Sequence, residues 1–323
     1  MAPRFLVAPD SFKGTFGADA VAAAIAAGLE ESGVEADRCP VADGGEGTLA
    51  VLLAAVGGET RSATVHDPLR RVREASFGLL GDGRTGVVET AQASGLSLVE
   101  PAERDPEAAD TFGTGELIAA AVAAGAERVL VAVGGSATTD GGRGAVEALR
   151  EAGDLGAAAI EVLCDVRSTY EQAAALYAPQ KGAGAAAVER LTARLDAFAD
   201  ELPRDPRGVP MGGCAGGLSG GLWAFGAQLC PGADFVLDAI GFDQRADAAE
   251  VVISGEGRFD EQSLEGKIVG AIAARCEAAI KPLHLVVGAN GLRGAPPAAI
   301  SSITRAESLE EMRQAGSELA RKR

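Results

Sequence analysis

The chain has 323 residues, 47% of them hydrophobic and only 4% aromatic, which excludes wholesale disorder and predicts about two domains with aliphatic cores. A net charge of −17 argues against nucleic acid or an anionic membrane surface as a partner. It leaves room for a phosphorylated ligand held by local N–H groups and lysines. Five scattered cysteines, never spaced C-x-x-C, predict reduced thiols rather than a zinc site, and two histidines exclude a His-rich metal site. The first ten residues lack a signal-peptide core, and no apolar run approaches the roughly 18 residues of a membrane span, so a cytoplasmic, soluble protein is expected.

In chain order, residues 4–8 form a short apolar run that ends at Pro9-Asp10, and a helical pattern follows with Val21, Ile25 and Leu29 on one face. Residues 38–42 repeat this grammar before Asp43-Gly44-Gly45-Glu46-Gly47. From 61 to 90 the pattern changes to three short strands, 62–66, 74–80 and 85–90, with Gly81-Asp82-Gly83 as a hairpin signal. The run 128–133 leads into Gly134-Gly135-Ser136, 251–254 into Gly255-Glu256-Gly257, and 283–287 into Gly288. A last run, 301–304, precedes the C-terminal helix. Short apolar runs alternating with helices predict a parallel sheet covered on both faces. The segment 153–231 fits this grammar poorly; it holds one charged helical stretch, 188–202, and a glycine cluster, 212–221. The expected organisation is a discontinuous parallel-sheet α/β domain, residues 1–60, 113–150 and 235–323, with an inserted α/β domain, 61–112 and 151–234, that contains an antiparallel meander.

Ligands of open parallel sheets bind beyond the carboxyl ends of the strands. That rule gathers Asp10, Asp43, the 134–142 loop, Glu256, Asp260 and Gly288. Lys13 sits beside Asp10 in a turn bounded by Gly14, which suits a phosphate-directed charge. Gly134, Gly135, Ser136 and Thr138 have the composition of a phosphate cradle, and Gly113-Thr114-Gly115 opens a helix whose N-terminus suits an anion. No G-x-x-x-x-G-K-[ST] occurs, so a P-loop is excluded, and no G-x-G-x-x-G follows the first strand. Jointly these loops favour a polyanion such as ATP. Glu256 and Asp260 supply carboxylates of the kind Mg2+ takes, and Arg258 and Lys267 supply charge for a transferring phosphoryl group. The competing reading makes each acid a helix cap and each cation a solvated surface group; the Lys181 turn, 179–183, carries the same ambiguity.

The blocks Ala8-Pro9-Asp10-Ser11-Phe12-Lys13-Gly14, Val41-Ala42-Asp43-Gly44-Gly45-Glu46-Gly47-Thr48, Gly113-Thr114-Gly115-Glu116, Gly134-Gly135-Ser136-Ala137-Thr138, Pro179-Gln180-Lys181-Gly182-Ala183 and Gly255-Glu256-Gly257-Arg258 resemble the bacterial glycerate kinase family, in that family's order. The resemblance implies ATP- and Mg2+-dependent phosphorylation of D-glycerate, at the 2-hydroxyl rather than the 3-hydroxyl. It also implies a flavodoxin/Rossmann-like domain with a second α/β domain inserted, and an active site in the cleft between them. For that chemistry Asp43 or Asp10, both at rigid strand ends, is the expected base, Lys13 and Lys267 the expected charge stabilisers, and Glu256 or Asp260 the expected metal ligand. Gly44, Gly45, Glu46, Gly113, Thr114, Gly115, Gly134, Gly135, Ser136 and Thr138 face ATP. A monomer or homodimer is expected. The chain lacks the family's Asp/Gly-rich hairpin between Leu149 and Val162, and Arg167-Ser168-Thr169-Tyr170 replaces the Asn-Pro-Leu that follows Cys164-Asp165-Val166 in the family. The trimmed insert keeps open a kinase of another small hydroxy acid, or a catalytically impaired ligand-binding relative. The clustering of Asp10, Lys13, Asp43 and Glu256 weighs against the latter.

Overall fold

A computed structural model describes residues 4–12, 14–153, 157–264 and 266–322. Its strands in chain order are β1 (Arg4–Pro9), β2 (Glu35–Arg38), β3 (Gly58–His66), β4 (Val72–Leu80), β5 (Thr85–Glu89) and β6 (Arg128–Ala132). They continue with β7 (Ala159–Cys164), β8 (Gln228–Pro231), β9 (Val251–Phe259), β10 (Leu283–Asn290) and β11 (Ile300–Arg305). The chain divides into two compact units, Met1–Asp43 with Ala233–Arg323, and Gly44–Gly232.

The first unit carries a five-stranded sheet ordered β11-β10-β9-β1-β2, with every pair parallel. Counted within the unit this is the flavodoxin-like order 2-1-3-4-5, whose switch point lies between β1 and β9. The interior strand β1 reads Phe-Leu-Val-Ala because both of its faces are covered: Phe5, Leu6, Val7 and Ala8 are all buried. Phe5 and Val7 pack with Val21, Ile25 and Leu29 of the helix Ala18–Glu31 and with Met312 and Leu319 of the helix Leu309–Arg321.

The second unit carries a six-stranded mixed sheet ordered β3-β4-β5-β6-β7-β8. The meander β3-β4-β5 is antiparallel, as the hairpin signal predicts, and β5 to β8 run parallel. Its core gathers Phe77, Val88, Leu117, Ile118, Val131, Val162 and Leu222.

Four expectations are corrected. Residues 44–60 and 113–150 belong to the second unit, not the first, because β6 pairs with β5 and β7. Residues 153–231 are not outside the βα pattern, since β7 and β8 extend the same sheet in parallel. The strand expected at 38–42 runs instead over Glu35–Arg38. Pro40 has no N–H and ends the regular ladder, although Cys39 and Val41 still donate to the Val7 and Pro9 carbonyls at 2.8 and 3.0 Å. β9 and β10 also outrun their apolar runs, so Glu256 and Gly288 lie within strands, with Glu256 opposite Val287. All five cysteines are free.

The helices Ala18–Glu31 and Leu309–Arg321 approach closely at two glycines. A Cβ on Gly28 would lie 1.8 Å from the Arg313 carbonyl oxygen, and one on Gly316 would lie 2.2 Å from that of Ile25. Gly28→Ala or Gly316→Ala must therefore separate the helices and open their shared core. Each is expected to cost about 1–3 kcal/mol in urea unfolding. An unchanged midpoint would show that the helices do not meet there.

Candidate active site

The carboxyl ends of the first unit's strands surround a cavity of about 570 Å3 lined by Asp10, Asp43, Glu256, Asp260, Lys267 and Gly288. It lies where the strand order reverses, the place where ligands enter such sheets. Asp10 follows β1 directly; its N–H donates to the Gly255 carbonyl at 2.8 Å, and its Oδ1 accepts the Ser11 N–H at 2.6 Å. Asp43 ends the segment after β2, and Lys267 immediately precedes the helix Ile268–Ala278. Asp10, Asp43 and Glu256 are all buried.

The capping alternative is testable from the helix starts. The helices after Asp10 and Asp43 have Gly17 and Gly47 at their cap positions. For the second helix, Glu89 Oε1 accepts the Gly47 and Leu49 N–H groups, each at 2.9 Å. Neither aspartate is the cap residue. Asp260, in contrast, does cap: its Oδ1 accepts the Gln262 N–H at 3.0 Å at the start of the turn Glu261–Leu264, and its Oδ2 accepts from Arg258 Nε at 3.1 Å.

Burial pushes the Glu256 carboxyl up to about 7; Ser263 and Lys267 pull against it, while the negative charges of Asp260 and Asp43 add to the rise. Glu256 Oε1 is buried with no hydrogen-bond partner. A carboxylate so placed lacks a proton or a cation. Among the described residues no three His, Cys, Asp or Glu side chains are grouped to hold a metal by themselves. The cavity therefore fits an ion that takes one or two protein carboxylates and completes its shell with water and substrate oxygens, which is the habit of Mg2+. Of the two metal candidates, Glu256 has the open acceptor, whereas both oxygens of Asp260 are engaged.

In the second unit the loops 44–46 and 134–136 come together: a Cβ on Gly134 would sit 2.7 Å from Gly45 Cα, and one on Gly135 would sit 3.8 Å from Glu46 Oε2. Lys181 Nζ donates to Ser136 Oγ at 3.0 Å and to the Thr138 carbonyl at 2.5 Å. Gly113, Thr114 and Gly115 sit apart from these loops in role. All three are buried; the space a side chain would need is filled by the His66 and Ala145 carbonyls, and Thr114 Oγ1 donates to Ser94 Oγ at 2.8 Å. They pack a helix. Lys13 lies outside the described residues.

Two carboxylates that hold helix starts in place carry no local sequence signal. Glu89 caps a helix some forty residues away in the chain, and Asp140 accepts from Thr111 and Gly144, tying two helix starts together. Only the partner's position in space reveals either role.

The glycerate kinase family profile matches residues 5–153 and 150–322. The chain is 36% identical to glycerate 2-kinase of Escherichia coli strain K12, over 88% of this chain and 85% of that one. It is also 36% identical to a glycerate kinase of Halalkalibacterium halodurans, over 97% and 94% of the two chains, and 38% identical to that of Bacillus subtilis, over 88% and 85%. A solved Salmonella typhimurium LT2 chain assigned as glycerate kinase 2 superposes with a TM-score of 0.83 at 34% identity, covering 99% of this chain and 98% of that one.

The raised Glu256 pKa has a consequence for stability. Between its ordinary value of 4.5 and about 7 the folded chain holds a proton that the unfolded chain releases, so this contribution is complete below 4.5 and is lost as pH rises through about 7. Gln stays neutral throughout. The melting temperature of Glu256→Gln is expected to gain on the wild type between pH 5 and pH 8, while activity falls. Parallel melting curves across that range would contradict the buried, proton-holding carboxylate.

Proposed function

The chain belongs to the glycerate kinase family, and from that premise we propose that it transfers the γ-phosphoryl group of ATP to the 2-hydroxyl of D-glycerate with Mg2+ present. The observation that carries this reading is the cavity at the β1/β9 switch point, where three buried carboxylates and one lysine converge. The name of the Escherichia coli relative, glycerate 2-kinase, supports the choice of hydroxyl.

The chemistry needs a proton acceptor, countercharge and alignment. Asp43 or Asp10 accepts the hydroxyl proton as the glycerate oxygen bonds to the γ-phosphorus. The bond from that phosphorus to the bridging oxygen breaks, and ADP leaves with the electron pair. Lys267 offsets the negative charge carried by the transferring oxygens. When bound, Mg2+ neutralises phosphate oxygens, and Glu256 is the side chain with an open acceptor to hold it. The loops 44–46 and 134–138 are proposed for the nucleotide phosphates, through backbone N–H groups and the Ser136 hydroxyl.

An isosteric pair tests the base. Asp43→Asn and Asp10→Asn each remove a charge while keeping shape, and the acid that takes the proton is the one whose loss lowers kcat by at least roughly 10²-fold with the melting temperature nearly unmoved. Near-normal kcat in both variants would remove the base from this cavity.

A further inference from the structure

Lys181 is a costly residue for a turn. It ends the turn Pro179–Lys181, is only 4% exposed, and makes no ion pair among the described residues. Burial pushes its pKa down to about 8, against the favourable pull of Asp140 and Asp165. Its two contacts both lie on one loop, Ser136 Oγ at 3.0 Å and the Thr138 carbonyl at 2.5 Å. A neutral side chain could tie that loop at less cost in desolvation.

The lysine does something a neutral tie need not do. An ammonium has three donors and no acceptor, so Ser136 Oγ must accept from it. A hydroxyl that accepts there still has one O–H to give, and among the described residues no acceptor takes it. The Thr138 hydroxyl beside it is buried without a partner as well. We infer that Lys181 is a positioning residue that commits Ser136 to act as a hydrogen-bond donor to a phosphate oxygen of the nucleotide. This inference rests on the proposed role of the 134–138 loop and deepens it. The ligand chemistry follows from the donor: a phosphate oxygen satisfies the Ser136 O–H and is drawn by the positive charge behind it.

The test uses Lys181→Met, Ser136→Ala and their combination on the full chain, reading kcat, KM for ATP, KM for glycerate, ADP affinity by calorimetry, and melting temperature. Each single variant is expected to raise KM for ATP and weaken ADP about tenfold, with KM for glycerate unchanged. Because both act through one hydroxyl, the double variant should be no worse than the weaker-binding single. A merely structural lysine would lower the melting temperature and leave the ratio of the two KM values in place. Singles whose effects multiply in the double would overturn the inference. If Ser136→Ala leaves ADP affinity intact, or moves KM for glycerate instead, the reading of the loop fails. If Ser136→Ala weakens ADP but Lys181→Met does not, the loop reading stands and the role of Lys181 falls. Should Lys181→Met not fold, Lys181→Gln, which keeps an N–H donor, must retain ADP affinity to within a few-fold, and Ser136→Thr must retain it where Ser136→Ala loses it. Failure of either rescue overturns the inference.

Discussion

The parallel pairing of β1 with β9 is the constraint on which the first unit depends. It joins two segments far apart in the chain, Phe5 with Val251 through Pro9 with Gly255; β2 is laid against β1, β10 against β9, and β11 against β10. A slip of one residue would turn the side chains of β9 to the opposite faces. Phe5 and Val7 already fill one face with aliphatic contacts, so the register is held by burial as well as by hydrogen bonds. With that register fixed, Asp10 leaves β1 hydrogen-bonded to Gly255, the residue before Glu256. The acids are neighbours because the strands are.

The same constraint makes the site expensive. Glu256 is carried into the sheet's interior on a strand flanked by β1 and β10, where ionisation is disfavoured by burial and by the charges of Asp260 and Asp43. A catalytic site spends stability on groups that are held away from water before the substrate arrives. The second unit shows the cationic counterpart: Lys181 is buried, its charge is supported by those of Asp140 and Asp165, and its donors go to one loop.

Much of this was legible in the sequence because the signals were local. Continuous apolar runs mark the buried parallel strands, the Gly-Asp-Gly turn marks the meander, and the rule of carboxyl ends gathers Asp10, Asp43, Glu256, Asp260 and Gly288 without contact information. What escaped was non-local. Whether residues 128–133 join the first sheet or the second depends on which strands they pair with, and an apolar run reads the same in either. The ends of β9 and β10 were hidden because glycine and glutamate look like loop residues until two strands are seen to pair through them. Gly113 and Gly115 read as an anion site, yet their lack of a side chain serves close packing. Lys181 stood among its motif's residues with no sign that it is buried, since a surface lysine is the usual outcome.

The central claim is that this enzyme moves a phosphoryl group from ATP to a glycerate hydroxyl. Phosphorus-31 NMR of the chain with Mg·ATP and D-glycerate measures that directly, because it reports donor, product and position in one experiment. A phosphomonoester resonance matching 2-phosphoglycerate, growing in step with ADP and absent without Mg2+, is the expected result. ADP and inorganic phosphate without a new ester, or an ester matching 3-phosphoglycerate, would contradict the account.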